Sequence, residues 1–292
     1  MTSVWFPTRD DQCAGHLPRL PYQHGFHAGN FADVMKHCVL ISLLEHMRLK
    51  GSPFVYVDTH AGAGSYNLQA EAARLGEHKL GVSRLLSTSE ELPASAAILS
   101  RLLTQSGGRY LGSPLIASQL CRQQDSLLLC EKAADQCALL RQNVGDDTRV
   151  TVQCADGYKA LTRKELCSPQ SRALVFMDPP YQMGSDSERA TALVKHLRKH
   201  WRAARTAIWF PLSEDRGKTE RLYSMMVQAR VGEVLVAELA APRGTVGSGM
   251  LLVQPPYGIE HELRELLPAL GHLMGAPGLS VDREPIASVK WL

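Results

Sequence analysis

Four short apolar segments each end at an acidic residue, and this repeat constrains the fold more than any other feature of the chain. The segments and their terminal acids are Phe54–Val57 with Asp58, Ser126–Cys130 with Glu131, Arg149–Ala155 with Asp156, and Ala173–Met177 with Asp178. Short apolar runs bounded by turn residues are typical of buried parallel strands, and helical patterns lie between them. In a doubly wound α/β sheet, ligands bind at the carboxyl ends of the strands. The repeat therefore predicts such a sheet, with a ligand cleft lined by acids.

Length and composition fit one large domain. The chain has 292 residues, of which 45% are hydrophobic and 21% are charged, which is enough for a sizeable core. A net charge of +3 gives no general affinity for nucleic acid, so a cationic surface would have to be local. The seven cysteines form no C-x-x-C pair, which predicts mostly reduced core cysteines. Since the chain shows neither a long apolar run nor a secretory leader, we expect a cytoplasmic protein without membrane contact.

The last of the four segments ends in Asp178-Pro179-Pro180-Tyr181. Pro179 disfavours a helical Asp178, and Pro180 has no N–H for a strand ladder, so the strand ends there. Asp178 and the Pro179 carbonyl can accept the hydrogens of an exocyclic amino group, while Tyr181 can stack on the ring that carries it. The four residues resemble the (Asp/Asn/Ser)-Pro-Pro-(Tyr/Phe/Trp) motif of amino-methyltransferases that use S-adenosylmethionine. A strand followed by an ordinary Pro-Pro turn is the alternative interpretation.

A glycine turn follows the first segment, with the sequence Asp58-Thr-His60-Ala-Gly62-Ala-Gly64. Its glycines allow the backbone to approach a ligand closely, so we expect Gly62 to contact a cofactor. A dinucleotide fingerprint would need a third glycine at position 67, where the chain has Asn67, and this disfavours an NAD site. S-adenosylmethionine carries no phosphates, so a shorter turn that begins with an acid is sufficient for it.

Glu131 and Asp156 are the candidate partners of the nucleoside part of a cofactor. A nucleotide site of this fold places an acid after the second strand for the ribose hydroxyls, and Glu131 fits that role. Asp156, followed by Gly157, ends the third strand and suits the adenine end. Each acid could equally be the cap of the helix that follows it.

Residues 65–112 separate the first strand from the second and carry helical patterns at Gly81–Ser87 and Ala94–Leu103. We interpret this stretch as an inserted helical subdomain that could hold a large substrate. Ser113 is expected to cap the next helix, with Pro114 at its first position. The other predicted boundaries are a poorly ordered extension over residues 1–20 and one domain over residues 21–292.

A further motif begins at Tyr22 and His24 and leads into a strong helical pattern after Asn30. Asn30 is a good N-cap for that helix. Lys36 and His37 interrupt its apolar face. Taken alone, they favour a snorkelling lysine and a satisfied core histidine over two residues that face a cofactor cleft.

Basic residues follow Tyr181 at steps of three and four, namely Lys195, Arg198, Lys199, Arg202 and Arg205. On one helix they would form a stripe, which is either a solvated face or a phosphate contact. His196 and His200 lack the glutamate of an H-E-x-x-H site, so we expect no metal.

The C-terminal third predicts strands at Thr206–Leu212, Val234–Leu239 and Gly249–Val253, with helices near Lys218–Arg230 and 259–274. The last two strands are too close in sequence for a helical crossover and should be antiparallel neighbours. Gln254-Pro-Pro-Tyr257 is similar to the Asp178-Pro-Pro-Tyr motif, but it has glutamine in place of the acid and follows a hairpin strand. We therefore expect no catalytic role for it.

Four motifs taken together resemble one family, the bacterial 23S ribosomal RNA adenine-N6 methyltransferases called RlmJ. They are Tyr22-x-His24-x-Phe-His-Ala-Gly-Asn-x-Ala-Asp-x-x-Lys36-His37, Asp58-Thr-His60-Ala-Gly-Ala-Gly, Gly-Ser113-Pro and Asp178-Pro-Pro-Tyr. The resemblance runs from about Tyr22 to near the C-terminus. It implies a Rossmann-like class I methyltransferase with a mostly parallel seven-stranded sheet, an antiparallel last strand and a small helical insertion.

The resemblance also implies roles for individual residues. Cofactor contacts map to His37, His60, Ser113, Glu131, Asp156, Gly157 and Asp178. Tyr22 and His24 would lie over the active site on the substrate side, with Lys36 close by and Asp178, Pro179 and Tyr181 at the reacting amine. The cofactor would be S-adenosylmethionine, converted to S-adenosylhomocysteine, without a metal.

The resulting prediction is methylation of the N6 amino group of a specific adenine in 23S rRNA by a monomeric enzyme, on free RNA early in large-subunit assembly. One rival is an enzyme of the same class acting on DNA adenine or on a protein glutamine. The other is a non-enzymatic nucleic-acid binder linked to the use of external DNA. Intact acids at the four strand ends argue against the second rival, because a pure binder needs no cofactor cleft.

Overall fold

An eight-stranded sheet lies at the centre of the computed structural model, which describes residues 27–68, 76–163, 171–181, 184–212, 215–240, 247–275 and 287–292. The strands within these ranges are β1 (Phe54–Asp58), β2 (Ser65–Asn67), β3 (Arg109–Leu111), β4 (Ser126–Glu131), β5 (Val150–Cys154), β6 (Arg172–Met177), β7 (Ala204–Leu212), β8 (Val234–Ala240), β9 (Gly247–Val253) and β10 (Ala287–Trp291). The order across the central sheet is β10-β8-β9-β7-β6-β1-β4-β5, while β2 and β3 form a separate ribbon.

The sheet is mostly parallel, as the sequence predicts. β1, β4, β5, β6 and β7 pair with their neighbours in parallel. β9 is antiparallel to both β7 and β8, and β10 is antiparallel to β8. The carboxyl ends of the five parallel strands therefore meet at one edge of the sheet.

Helices cover both faces of the sheet. They are α1 (Phe31–Arg48), α2 (Val82–Ser87), α3 (Ala94–Gln105), α4 (Ser113–Leu120), α5 (Ala134–Val144), α6 (Gly157–Ala160), α7 (Asp186–His200), α8 (Arg216–Gln228) and α9 (Ile259–Met274), with a short 3₁₀ helix at Glu77–Leu80. Tyr56 and Phe176 pack with α1, α3, α4 and α9, whereas Val57 and Val175 pack with α7 and α8. Neighbouring strand residues point to opposite faces, so a strand covered on both faces is apolar throughout. No helix in the described ranges is long and apolar enough to cross a membrane.

Helix α1 is buried on nearly all sides. It begins as predicted, because Asn30 Oδ1 accepts a hydrogen bond from the backbone N–H of Asp33 at 2.9 Å. It packs between the sheet and helices α3, α4 and α9, which leaves Lys36 only 3% and His37 only 2% exposed. A snorkelling lysine keeps its ammonium in water, so that interpretation of Lys36 is wrong.

Two segments contain strands that the sequence patterns did not indicate. β10 comes from the C-terminal tail and adds an eighth strand to the predicted seven, at the edge beside β8. The stretch 65–112 contains the β2–β3 ribbon in addition to its helices. β2 and β3 have three residues each, too few to show a hydrophobic period, and β10 is recognised by its pairing with β8.

The predicted basic stripe does not lie on one helix. Helix α7 ends at His200, so Arg202 follows it and Arg205 lies in β7. A crossover helix runs back from the carboxyl ends of the strands to their amino ends. The basic residues of this region therefore lie at the amino ends of the strands, opposite Asp178.

Cys137 and Cys154 form a disulfide that joins α5 to the end of β5. Among the cysteines that the structure describes, Cys38, Cys121 and Cys130 are free and buried, as expected for core cysteines. The prediction of mostly reduced cysteines missed this pair because its members are 17 positions apart and resemble no short motif.

Candidate active site

The four acids of the sequence repeat lie along one edge of the sheet. Asp58 is aligned with Phe176 in β6, and Glu131 is aligned with Cys154 in β5. Asp156 and Asp178 follow these strands directly. The predicted convergence of the acids is thus present, and it follows from the parallel pairing of β1, β4, β5 and β6.

Asp58 is fully buried at the start of the glycine turn. It accepts hydrogen bonds from the Tyr56 hydroxyl at 2.9 Å and from the backbone N–H of His60 at 3.1 Å. Burial raises the pKa of Asp58 to about 6, against hydrogen bonds from Ser113 and Tyr56 that lower it. Ser113 is the first residue of α4 and Gly112 is its N-cap, so the prediction that Ser113 caps this helix is wrong. Its hydroxyl instead donates a hydrogen bond to the Asp58 carboxylate.

The glycine turn is tied to Glu131. The backbone N–H of Gly62 donates to Glu131 Oε2 at 2.8 Å, and that of Ala133 donates to Oε1 at 2.7 Å. Gly62 has a φ of 60°, and a Cβ there would lie 2.4 Å from the Tyr66 hydroxyl. The positive φ and the contact with Tyr66 both favour glycine at this position, and the turn holds the half-exposed Glu131 carboxylate in a fixed orientation.

Asp156 is both a helix cap and an ion-pair partner. Its Oδ1 accepts from the backbone N–H groups of Tyr158 and Lys159 at 3.1 and 3.4 Å, and its Oδ2 lies 2.5 Å from Arg189 Nη2. Burial alone would raise the pKa of Asp156, but Arg189 outweighs burial and holds it below its ordinary value. The sequence leaves open whether Asp156 caps a helix or binds the cofactor, and the geometry allows both roles.

Gly157 marks a close backbone approach beside Asp156. A Cβ at Gly157 would lie 2.3 Å from the carbonyl oxygen of Thr59. Any side chain would therefore push the end of β1 away from α6. The packing thus explains why glycine is needed at this position.

His60 is held as a neutral ring between the turn and α6. Its Nδ1 lies 2.8 Å from the Thr59 hydroxyl, and its ring packs edge-on against Tyr158 with centroids 4.9 Å apart. Burial lowers the pKa of His60 to about 4, although Asp178 and Asp156 raise it. A neutral imidazole can accept or donate a hydrogen bond without adding a positive charge to the cleft.

Lys36 reaches from α1 to the carboxylate of the Asp-Pro-Pro-Tyr segment. Its Nζ lies 2.5 Å from Asp178 Oδ2 and 2.8 Å from Asp33 Oδ1, and 5.3 Å from the centroid of the Trp209 ring. Burial would lower the pKa of Lys36, but the two carboxylates outweigh burial and raise it. Lys36 is therefore a buried cation between two anions.

The Asp-Pro-Pro-Tyr segment turns sharply at its last residue. Tyr181 has a φ of 53°, which is uncommon for a residue with a side chain. Its hydroxyl donates to the Trp209 carbonyl at 3.0 Å, and the two rings meet edge-on at 5.9 Å. The ring of Tyr181 is thereby fixed beside the half-buried Asp178.

The remaining predicted residues fall into two groups. His37 lies next to Lys36 in α1, and its Nδ1 is 2.7 Å from the Tyr110 hydroxyl of the inserted ribbon. Tyr22 and His24 lie outside the described residues, so their place over the active site stays a prediction.

Four residues at the site were not recognised from sequence. Asp33 lies in the first turn of α1, where an acid ordinarily stabilises the helix dipole, and Trp209 lies in a strand whose apolar pattern is typical of the core. Tyr158 and Arg189 belong to separate helices and meet only in the fold, where the Arg189 guanidinium lies 4.3 Å over the Tyr158 ring. No spacing signal in the sequence connects these residues.

Known proteins resemble this chain over most of its length. A family model described as ribosomal RNA large subunit methyltransferase D, RlmJ, matches residues 51–285. Proteins named ribosomal RNA large subunit methyltransferase J from Haemophilus influenzae and Escherichia coli are 37% and 36% identical, each match covering 86% of this chain and 92% of the relative. A crystal structure of a Legionella pneumophila protein matches with a TM-score of 0.80 at 27% identity, over 90% of this chain and 98% of that one.

Proposed function

The chain belongs to the RlmJ family of ribosomal RNA large subunit methyltransferases, and we propose that it methylates the N6 amino group of one adenine in 23S rRNA with S-adenosylmethionine. The activity of the family is methylation of ribosomal RNA. The observation that carries the finer proposal is Asp178, a half-buried carboxylate at the end of β6 that is followed by two prolines and Tyr181. This arrangement suits an exocyclic amine on a flat ring.

The hydrogen-bonding groups at the strand ends fit S-adenosylmethionine, which supplies an electrophilic methyl group when bound. Each Glu131 oxygen accepts one backbone N–H and keeps a further lone pair for a ribose hydroxyl. Asp156 can accept a hydrogen bond from the adenine amino group of the cofactor. The absence of a side chain at Gly157 lets α6 lie close to the end of β1, and this close packing would hold Asp156 in place for that contact.

The target adenine has to leave its stack to reach this cleft, at a cost of a few kcal/mol that is smaller for an unpaired base. Tyr181, together with Tyr22, would stack on the flipped base. Asp178 and the Pro179 carbonyl would accept the two amino hydrogens. Because the lone pair of an adenine amine is delocalised, holding the nitrogen in line with the methyl group is most of the catalysis.

Lys36 has a structural and electrostatic part in this reaction. The raised pKa of Lys36 keeps it cationic, so it does not accept the proton that leaves the nitrogen. It can instead fix the orientation of Asp178 through the contact at 2.5 Å. The released proton goes to Asp178 or to water, and the site is compatible with both routes.

The setting of the reaction is part of the proposal. We expect a monomeric enzyme in the cytoplasm, where it would modify free 23S rRNA before the large subunit is assembled. The same motif could serve DNA adenine or a protein glutamine, which defines the nearer rival. A non-enzymatic binder is disfavoured by the four acids that converge at the strand ends.

The test uses purified protein with radiolabelled S-adenosylmethionine. Protein-free 23S rRNA lacking the modification, assembled large subunits and adenine-containing duplex DNA are offered in parallel, and labelled nucleosides are identified. We expect N6-methyladenosine in naked RNA. Label in DNA alone, or a labelled nucleoside other than N6-methyladenosine, would contradict the proposal.

A further inference from the structure

Three arginines converge at the amino ends of the parallel strands, on the side opposite Asp178. Arg172 Nη1 and Arg122 Nη2 both donate to the carbonyl oxygen of Ser52, at 2.7 and 3.0 Å. Both guanidinium groups lie over the Phe54 ring, 5.9 and 5.8 Å from its centroid. Arg205 lies on the neighbouring strand, close enough for its charge to lower the pKa of Arg172. We call these three residues the amino-end arginine cluster.

Among the described residues, Asp125 is the one carboxylate paired with this cluster, although Arg172 and Arg122 also donate to backbone carbonyls at the end of α1. Asp125 pairs with Arg122 at 2.9 Å and is itself buried. The pKa of Arg172 is lowered by burial and then by the charges of Arg205 and Arg122. Burial also lowers the pKa of Arg205. Two further cations therefore lie beside this ion pair, and they repel each other.

Two donors of the cluster also lack an acceptor. Within the part of the chain that the structure describes, the Nε atoms of Arg172 and Arg205 are buried without a hydrogen-bond partner. Buried polar groups in proteins are nearly always hydrogen-bonded, and those that are not call for an explanation. An external anion beside these two partly exposed arginines would offset their charge.

Further cations border the cluster at the end of α7. Trp201 Nε1 donates to the carbonyl of Ser171 at 2.8 Å, which places the end of α7 beside the start of β6. Arg198 donates to the carbonyl of Arg202 at 2.8 Å, and Arg202 is exposed. The cluster is thus continuous with an accessible basic rim.

We propose that the amino-end arginine cluster binds a backbone phosphate of the substrate RNA. This inference rests on the proposed function. A phosphodiester offers acceptor oxygens in the planar geometry that guanidinium groups recognise, and its charge would relieve the repulsion. Inorganic phosphate has the same chemistry, so the experiment has a separate arm for it.

The position of the cluster predicts which RNA can use it. Arg172 begins β6 and Asp178 follows its end, so the two ends of the site are about 20 Å apart at roughly 3.3 Å per residue. An RNA that only fills the active site would not extend that far around the protein. A phosphate contact at the cluster therefore requires an RNA longer than the minimal substrate.

The main test is Arg205→Gln, assayed with full-length unmodified 23S rRNA and with the shortest RNA that trimming leaves as a substrate. For the long RNA we expect KM to rise about fivefold to tenfold and the slope of log affinity against log salt to fall by about one. For the short RNA, KM should not change, nor should kcat or the affinity for S-adenosylhomocysteine. An unchanged KM for long RNA, or an equal rise for both RNAs, would overturn the proposal.

Thermal unfolding of the same variant separates binding from folding. Since Arg205 Nε has no acceptor to lose among the described residues and Arg205 is repelled by Arg172, Arg205→Gln should unfold at the same temperature as the parent or higher. A lower unfolding temperature would show that Arg205 is structural and would contradict the proposal. Arg205→Lys keeps the charge and should retain part of the long-RNA affinity.

Two controls complete the design. Arg264→Gln removes the same charge from α9, where Arg264 pairs with Glu260 at 2.8 Å, and should leave both KM values unchanged. Inorganic phosphate should compete with long RNA in the parent more strongly than in Arg205→Gln. If phosphate binds at the cluster while long-RNA affinity is insensitive to Arg205, the site takes the free ion and the RNA proposal fails. If the parent protein itself does not methylate 23S rRNA, the proposed function is refuted instead.

Discussion

The carboxyl ends and the amino ends of the parallel strands carry opposite charges, and the protein compensates these charges differently. At the carboxyl ends, each acid of the site accepts hydrogen bonds from internal donors, as Asp58 does from Tyr56 and Asp178 does from Lys36. At the amino ends, Arg172 and Arg205 lie close together, and the described residues provide no acceptor for the Nε atom of either. The protein compensates the charges at the carboxyl ends, whereas at the amino ends Arg172 and Arg205 have no carboxylate partner among the described residues.

This difference matches the ligands proposed for each edge. A small cofactor and one flipped base need groups that are already oriented, which internal hydrogen bonds provide at little reorganisation cost. An RNA backbone needs accessible positive charge more than fixed geometry. The carboxyl ends of the strands should therefore depend on their internal compensation, with the largest effect expected at Asp178.

Asp178→Ala should lower kcat by at least about 10³-fold, because the amine loses the acceptor that orients it. Single-turnover methylation of 23S rRNA would measure this, with thermal unfolding as the folding control. Asp178→Asn sharpens the result, since an amide oxygen can still accept a hydrogen bond but takes no proton. Partial activity in Asp178→Asn would favour an orienting role, and full activity in Asp178→Ala would remove Asp178 from the mechanism.

Lys36→Met should destabilise the fold by about 3–5 kcal/mol, because Asp33 and Asp178 would remain buried without their cation. Denaturant unfolding monitored by circular dichroism gives this difference. The double variant Asp33→Asn with Lys36→Met should recover part of the loss. Unchanged stability of Lys36→Met would mean that internal compensation is not important at this edge.

Asp58→Asn tests compensation through pH. Burial raises the pKa of Asp58 to about 6, so the native state binds its proton more tightly than the unfolded chain does. The ionised carboxylate therefore costs stability at pH 7, and the cost disappears as the pH falls through about 6 towards 4. A difference of about 2 between the pKa of Asp58 in the folded and in the unfolded protein corresponds to about 3 kcal/mol.

The measurement for Asp58 is the difference in unfolding free energy between Asp58→Asn and the parent. This difference should fall by about 2–3 kcal/mol from pH 7 to pH 4. His60, whose pKa is lowered to about 4, has the opposite slope but is present in both proteins and cancels. A difference that does not change with pH would show that Asp58 is not strained by burial.

Gly157→Ala should weaken binding of S-adenosylhomocysteine about tenfold, because its Cβ would meet the Thr59 carbonyl at 2.3 Å. Titration calorimetry measures this affinity. Gly51→Ala is the matched control, since a Cβ there meets no described atom within 4 Å. Equal affinity in Gly157→Ala and the parent would show that the backbone approach is not required for the cofactor.

The sequence by itself determined the class of fold and the edge of the site. Apolar runs that end at Asp58, Glu131, Asp156 and Asp178 specify parallel strands, because strand period and turn chemistry are local properties. The position of the acids at one edge then follows from parallel pairing. The N-cap at Asn30 and the Asp-Pro-Pro-Tyr turn were predictable for the same local reason.

The tertiary structure decided the partners of the charged groups. The pattern around Lys36 favours a snorkelling lysine, but the packing of α1 buries it against Asp178, which is 142 positions away. Ser113 is predicted to cap a helix, but in the structure its hydroxyl hydrogen-bonds to Asp58. Arg205 is predicted to lie in a helical stripe, but it lies in β7 near Arg172 and Arg122. Such pairings depend on which surfaces pack together over the whole chain, and no local pattern records that. For this reason the sequence predicted a candidate site at the carboxyl ends of the strands, whereas only the fold revealed how its charges are compensated and where arginines lack a carboxylate partner.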